Sequence, residues 1–149
     1  MIQAQLAAAT PTPHSMPAPL GVTPDGGYRP GECNIGPAEI ARRRRVGHVG
    51  AIVTVILFLI LVALHVPPLA RLIVGLPAAG AASGYLQAMF KFCAGFASAG
   101  VFNFGEVGRT ERVADAGARR LDRRRANQIL LGCLAVGIVV AIVAVVVPL

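Results

Sequence analysis

The amino-acid sequence predicts an all-α integral membrane protein with three transmembrane helices, arranged as a helical hairpin followed by one long C-terminal helix. Hydrophobic residues make up 55% of the 149 residues and charged residues only 14%, whereas about 25% charged residues is usual in soluble domains. The apolar residues form three long runs, and three spans with their flanks occupy the chain, so we do not expect a second folded domain. We expect the spans at about 46–66, 69–91 and 128–148.

Residues 1–31 are predicted to form a disordered tail, and residues 32–149 the membrane domain. The tail is rich in proline, threonine, serine and glycine, a composition that favours disorder. Its first 20 residues lack the basic start and continuous apolar core of a signal peptide. A proline-rich docking peptide is the alternative, but no PxxP with a basic flank is present to support it.

The first span is expected to begin as a helix near Pro37, a residue suited to a first helical turn. Glu39 follows, where a negative charge complements the helix dipole. The helix then passes through four arginines into a long aliphatic run, and the pair Pro67 and Pro68 ends it. Because the link to the next apolar run is so short, the first and second spans should form an antiparallel hairpin.

The central span lies between Arg71 and Lys91, and the other two spans are expected to pack against it. This run carries no formal charge, and at ~1.5 Å per residue it covers roughly 28 Å, about one hydrocarbon core. Small residues at GxxxG spacing allow another helix to approach closely. The predicted helix-packing residues share one face of this span: Gly80, Gly84 and Gln87.

The segment 92–127 is predicted to lie in the cytoplasm. Its first part, 92–105, is uncharged but too short to span a membrane, and we expect it to continue the central helix and turn along the interface; a re-entrant loop is the alternative. Residues 106–127 are polar and compatible with a helix that runs on into the third span. Asp115 and Arg119 are four residues apart and are predicted to pair.

Arginine distribution predicts the topology. Basic residues lie before the first span and between the second and third, and no charge follows the third. The positive-inside rule therefore places the N-terminus in the cytoplasm and the C-terminus outside, in the bacterial inner (cytoplasmic) membrane. Because the net charge of +7 lies beside apolar spans, we expect anionic lipids, and not nucleic acid, as partners. The predicted lipid-headgroup residues are Arg42, Arg43, Arg44, Arg45, Arg123, Arg124 and Arg125.

Three residues could take part in metal or thiol chemistry. The predicted topology brings Cys33, Cys93 and His48 to the cytoplasmic face, and this set would suit zinc, copper(I) or thiol redox chemistry. The alternative, which we favour because the ligand spacing is not short, is that these side chains pack or begin helices. No GxSxG, HExxH or P-loop motif is present, so neither an enzyme nor a cofactor is expected.

Five short segments stand out: CNIG at 33–36, EIARRR at 39–44, GYLQA at 84–88, FCAGF at 92–96 and GVFNFG at 100–105. Their order and spacing resemble those of a set of small bacterial three-span membrane proteins to which no activity is attached. The similarity covers residues 32–149. It implies that Cys33, Asn34, Cys93 and Asn103 belong to a common pattern and favours a shared site on the cytoplasmic face.

These observations predict a small, non-enzymatic structural or interaction component of the inner membrane. We expect it to pack against a second copy of itself or a larger complex through the glycine face of the central helix. The alternative function is a metal-binding or thiol-redox membrane protein that uses Cys33 and Cys93.

Overall fold

Three long helices form the body of the structure, a computed structural model that describes residues 27–147. Within this range, three helical stretches are long and apolar enough to cross a membrane: 37–63, 68–89 and 116–146. They confirm the predicted all-α fold of a hairpin and a long C-terminal helix. The elements are α1 (Pro37–Ala63), a 3₁₀ segment (Pro68–Val74), α2 (Gly75–Met89), α3 (Ala94–Ala99), β1 (Val101–Phe102), β2 (Glu111–Arg112) and α4 (Ala116–Val146).

The contacts between helices fix their directions. Glycines on α1 and α2 meet at Gly47 and Gly84, and one turn further on Gly50 meets Ala81. Residue numbers rise along α1 as they fall along α2, so the two helices are antiparallel. The same holds for α2 and α4, where Gly75 lies against Gly137 while Leu86, further along α2, lies near Gly132. Helices α1 and α4 therefore run in the same direction, and both pack against α2.

This arrangement places both arginine clusters at one end of the molecule. Arg42–Arg45 lie near the start of α1 and Arg123–Arg125 near the start of α4, while Lys91 follows the end of α2. We call this end the arginine-rich end. The link between α1 and α2 and the C-terminus of α4 lie at the other end, where Arg71 Nη1 donates to the Val147 carbonyl at 3.4 Å.

Helix α2 ends earlier than predicted, and the expected continuation of the central helix through 92–105 is wrong. Lys91 adopts a left-handed conformation with φ of 51°. The amide of Phe92 donates to the Gln87 carbonyl at 3.0 Å and that of Lys91 to Ala88 at 3.3 Å, which is the hydrogen-bond pattern of a Schellman C-cap. The chain reverses at this point and forms the separate short helix α3.

The segment after α2 folds against the N-terminal strand-like residues and the start of α4. Strands β1 and β2 are antiparallel, with Val101 opposite Arg112, and Ile35 forms a parallel bridge with Asn103. We call residues 27–36 and 90–127 together the cap. Buried apolar residues of the cap and of the adjoining helices pack into one cluster: Ala82, Phe92, Ala94, Ala97, Ala126, Ile129 and Cys133.

The start of α4 also differs from the prediction. The helix begins at Ala116, after the strand β2, and not within the earlier polar residues. Asp115 is its N-cap and accepts from the Ala118 amide at 2.5 Å. Arg119 Nη1 instead donates to the Val113 carbonyl at 3.1 Å. The expected Asp115–Arg119 ion pair is wrong because capping the helix uses the carboxylate.

The folded part begins before the predicted boundary at residue 31. Tyr28 is buried and its ring stacks on Phe102 with 4.7 Å between centroids. Residues 27–31 thus belong to the cap. The rest of the predicted tail, residues 1–26, lies outside the described residues.

The outward surface of the helices is apolar. Only 6% of the most apolar stretch of α1 is buried inside the protein, and valine, isoleucine and leucine side chains along α1 and α4 are half exposed. Large continuous apolar surfaces are rare on soluble monomers, whereas lipid tails cover them without cost. The surface therefore suits a protein that crosses a membrane.

The two glycines predicted to pack the central helix have different surroundings. A Cβ on Gly84 would lie 2.6 Å from Gly47 Cα and 2.7 Å from the Arg43 carbonyl oxygen. A Cβ on Gly80 would meet no atom of the described chain within 4 Å. Gly84 thus lies in the α1–α2 contact as predicted. The rotation of α2 leaves Gly80 facing away from the described chain, so its predicted packing would need a partner outside these residues.

Replacing Gly84 by Leu should lower the free energy of unfolding by about 1–3 kcal/mol, since added bulk forces the two backbones apart. Gly80→Leu is the matched control, because it makes the same change on the same helix in open space, and it should keep wild-type stability. Unfolding of the purified variants in mixed detergent micelles measures both. Equal stability of the two variants would contradict this packing.

Candidate functional site at the arginine-rich end

A buried asparagine holds the end of the α2–α3 connection in place. Asn34 Oδ1 accepts from the Cys93 amide at 2.6 Å, and Asn34 Nδ2 donates to the Cys93 carbonyl at 3.0 Å. The backbone N–H of Asn34 donates to the Lys91 carbonyl at 3.2 Å. One side chain therefore satisfies both backbone groups of a buried residue, as burial of polar groups requires.

Asn103 performs the same role for the segment after α3. Its backbone accepts from the Gly36 amide at 2.7 Å and donates to the Asn34 carbonyl at 3.0 Å. Its side chain donates to the Glu106 carbonyl at 2.9 Å and accepts from the Gly105 amide at 2.9 Å. Asn34 and Asn103 are at most 2% exposed. The Asn34 side chain joins two segments of the cap, and the Asn103 side chain also reaches Glu39 of α1 at 3.5 Å.

A completely buried carboxylate lies beneath this connection. Glu39 Oε1 accepts from Asn103 Nδ2 at 3.5 Å and lies 3.7 Å from Arg42 Nη1. Glu39 Oε2 lies 3.9 Å from Arg43 Nε and has no hydrogen-bond partner within residues 27–147. The two arginines compensate the charge of this carboxylate, since an unpaired buried charge would be costly.

Arg43 joins the carboxylate to the thiol of Cys93. Its Nη2 donates to Cys93 Sγ at 2.9 Å, and the Phe96 amide donates to the same sulfur at 3.4 Å. The guanidinium also lies over the Phe96 ring, 5.8 Å from its centroid. Cys93 is the N-cap of α3, so its sulfur accepts bonds that a capping serine or aspartate would otherwise take.

Tyr28 and Asp122 form a second buried connection, between the start of the cap and α4. The Tyr28 hydroxyl donates to Asp122 Oδ2 and the Gly31 amide to Asp122 Oδ1, both at 2.7 Å. Asp122 is completely buried. Burial raises the pKa of Tyr28 above its ordinary value, and the hydrogen bond and negative charge of Asp122 raise it further.

The residues predicted for metal or thiol chemistry do not meet in one site. The Cys33 thiol donates to the Ile35 carbonyl at 3.8 Å, while Cys93 bonds to Arg43. His48 is exposed, with Nδ1 2.7 Å from the Tyr85 hydroxyl. Residues 27–147 contain no group of three His, Cys, Asp or Glu side chains placed to hold a metal ion.

The seven arginines predicted to contact lipid headgroups fall into two sets. Arg43 turns inward to Glu39 and Cys93, and Arg125 lies over the Phe90 ring, 4.4 Å from its centroid. Both are partly buried. The other five are exposed: Arg42, Arg44, Arg45, Arg123 and Arg124.

Gln87, predicted to pack the helices, connects α2 to α3 instead. Its Oε1 accepts from the Ala94 amide at 3.2 Å and its Nε2 donates to Ser83 Oγ at 2.6 Å. The burial of three further polar residues was not predicted from the sequence: Tyr28, Glu39 and Asp122. Asp122 could have been noticed because it is a single acidic residue within an arginine-rich run, where burial with a donor is a reasonable alternative to exposure.

The fold and this site define a small three-helix protein of the membrane-spanning class, with a cap tied to one end by buried polar side chains. Comparisons with protein-family models, curated proteins and solved structures found no match. The residues and their contacts are therefore the basis for assigning a function.

Replacing Tyr28 by Phe should cost about 1–3 kcal/mol of stability, because Asp122 Oδ2 loses its buried donor. It should also change the pH dependence. The folded protein keeps the Tyr28 proton to higher pH than the unfolded chain. The stability that the protonated Tyr28 hydroxyl contributes is therefore complete below about pH 10 and is lost as the pH rises further.

Unfolding at pH 9 and pH 11 measures this effect, and Tyr85→Phe is the control because Tyr85 is exposed. We expect the wild type and Tyr85→Phe to lose stability between the two pH values more steeply than Tyr28→Phe. An identical loss in all three proteins would show that the Tyr28–Asp122 bond contributes nothing.

Proposed function

We propose that this protein is a non-enzymatic structural or interaction component of the cytoplasmic membrane of a bacterium. Its three helices anchor the cap, and the cap binds an acidic region of a larger membrane complex. The positive-inside rule supports a cytoplasmic location for the arginine-rich end and an external C-terminus. Both arginine clusters lie at that end, so a single orientation satisfies them together.

The proposal rests on one observation, that buried polar side chains bond the segments of the cap to one another and to α1. Asn34, Asn103, Glu39 and Asp122 are 0–2% exposed, and each bonds to another part of the cap or to α1. The first purpose of this network is to make the cap rigid. A rigid surface loses little conformational freedom when it binds a partner, so more of its contact energy appears as affinity.

The charge of the cap surface supports an acidic partner. The ion pairs found within residues 27–147 join Arg29, Arg42 and Arg43 to glutamates, and Asp115 and Asp122 are used in capping and burial. Exposed cap arginines outside these pairs outnumber the exposed glutamates outside them, Glu106 and Glu111, and create a positive field that attracts acidic groups. These arginines are Arg109, Arg112, Arg120, Arg123 and Arg124.

The thiol-redox alternative has one observation in its favour, the short contact from Arg43 to Cys93. Cys93 is nevertheless 1% exposed, and its sulfur caps α3. Cys33 bonds to a backbone carbonyl and, within residues 27–147, has no contact of this kind. The geometry therefore supports a structural role for both cysteines better than electron transfer or metal binding.

Replacing Arg120, Arg123 and Arg124 together by Gln should release the protein from its assembly. Membranes that carry the full chain are extracted in mild detergent, and the size of the complex is measured on native gels. We expect the wild type to migrate as an assembly larger than the monomer, and the triple Gln variant to leave it at least about tenfold more readily.

The triple Lys variant is the matched control, because it keeps all three charges and should remain in the assembly. Moderate salt should release the wild type as well, since the contacts are exposed. A monomeric wild type, or a triple Gln variant that stays in the assembly, would contradict the proposal.

A further inference from the structure

An open groove runs along the outside of the α1–α2 hairpin at its arginine-rich half. It has a volume of about 760 Å³ and is apolar apart from two arginines at one end. The groove adjoins the cap, because Arg42 also pairs with Glu39 and Val107 belongs to the cap, but binding a ligand in it is a role distinct from the proposed function. The lining residues are Arg42, Arg45, Val46, Val49, Gly50, Val53, Pro77, Gly80 and Val107.

The open face of Gly80 creates the width of this groove. Gly50 already lies against α2, because a Cβ there would be 2.9 Å from Ala81 Cα. Gly80 has free space beyond its Cα, with no atom of the described chain within 4 Å of a Cβ built on it. Small residues in membrane helices usually serve close packing, but Gly80 has no packing partner within residues 27–147.

The α1 side of the groove has the dimensions of a lipid. Arg42, Arg45, Val46, Val49 and Val53 follow helical 3-and-4 spacing and share one face. At ~1.5 Å per residue, the stretch from 42 to 53 is roughly 16 Å long, about half of a hydrocarbon core and thus the depth of one leaflet. The two charges lie at the end of this stretch where headgroups are expected.

We propose that this groove binds one anionic phospholipid, with its phosphate on Arg42 and Arg45 and an acyl chain on the valines. Charge complementarity favours this occupant. Arg45 forms no ion pair with residues 27–147. Arg42 forms one long ion pair, with 3.7 Å between its Nη1 and Glu39 Oε1. A guanidinium pair is well suited to phosphate oxygens.

A second copy of the chain is a poorer occupant. Most homodimers have two-fold symmetry, so the same surface of both copies would meet. Two copies that pack through this groove in the same orientation would bring four arginines together at one level. Like charges at close range oppose that contact, whereas an anionic lipid neutralises them.

Native mass spectrometry of the full-length protein with phosphatidylglycerol or phosphatidylcholine tests the proposal. The wild type should retain one phosphatidylglycerol in preference to phosphatidylcholine. The double variant Arg42→Gln, Arg45→Gln should bind phosphatidylglycerol about 30-fold more weakly, from about fivefold for each basic side chain. Arg45→Gln alone, which leaves Glu39 paired, should give an intermediate loss.

Two further variants separate the groove from the general surface charge. Gly80→Leu fills the groove and should lose the retained lipid while its unfolding stability stays that of the wild type. Arg123→Gln with Arg124→Gln removes two exposed arginines outside the groove and should keep the lipid.

Several outcomes would overturn the proposal. These are equal retention of the two lipids by the wild type, unchanged retention in the double arginine variant, and unchanged retention in Gly80→Leu. Loss of a wild-type dimer in Gly80→Leu, with no loss of lipid, would show instead that a second copy occupies the groove.

Discussion

Direct contact between helix backbones holds this protein together. In a membrane, apolar side chains gain little by moving from lipid to a neighbouring helix, so association depends on how closely two helices can approach. Gly47 and Gly84 bring α1 onto α2, and Gly75 and Gly137 bring α2 onto α4. Both contacts are antiparallel, so α1 and α4 run in the same direction and carry their arginines to the same end. The cap can form only because that end gathers the start of two helices and the end of the third.

Outside the three spans, a different interaction determines the structure. The cap is small and contains a short helix and two strands of two residues each, so backbone ladders alone cannot fix its shape. Side chains such as Asn34 and Asn103 bond to backbone groups outside any ladder, and Asp122 joins the first described residues to α4. Buried polar groups become costly when their bonds are broken, so the network favours one arrangement of the cap. The cap and the groove thus both depend on the arrangement of the three helices.

Much of the fold could be predicted because membrane helices are marked by long uncharged runs, and their orientation by the arginines beside them. The site was harder to predict than the fold. Gly80 and Gly84 have the same chemistry and helical spacing, and only the rotation of α2 against Gly47 and Gly50 decides that one is packed and the other open. Lys91 ends a helix in a left-handed conformation that is usually occupied by glycine, so the sequence contains no signal for the break. Tyr28 lies in a proline-rich region whose composition hides a contact with a helix almost a hundred residues away.

The common location of the arginine-rich ends of α1 and α4, in one compartment, is the condition on which both proposed roles depend. Single exposed positions can be tested with Arg44→Cys, Arg120→Cys and Leu69→Cys, with the wild type as the blank because its three cysteines are buried. A membrane-impermeant maleimide is applied to intact cells and to inverted membrane vesicles. We expect positions 44 and 120 to react only in inverted vesicles and position 69 to react only in intact cells. Reaction of positions 44 and 120 from opposite sides, or of position 69 from the same side as these two, would contradict this topology.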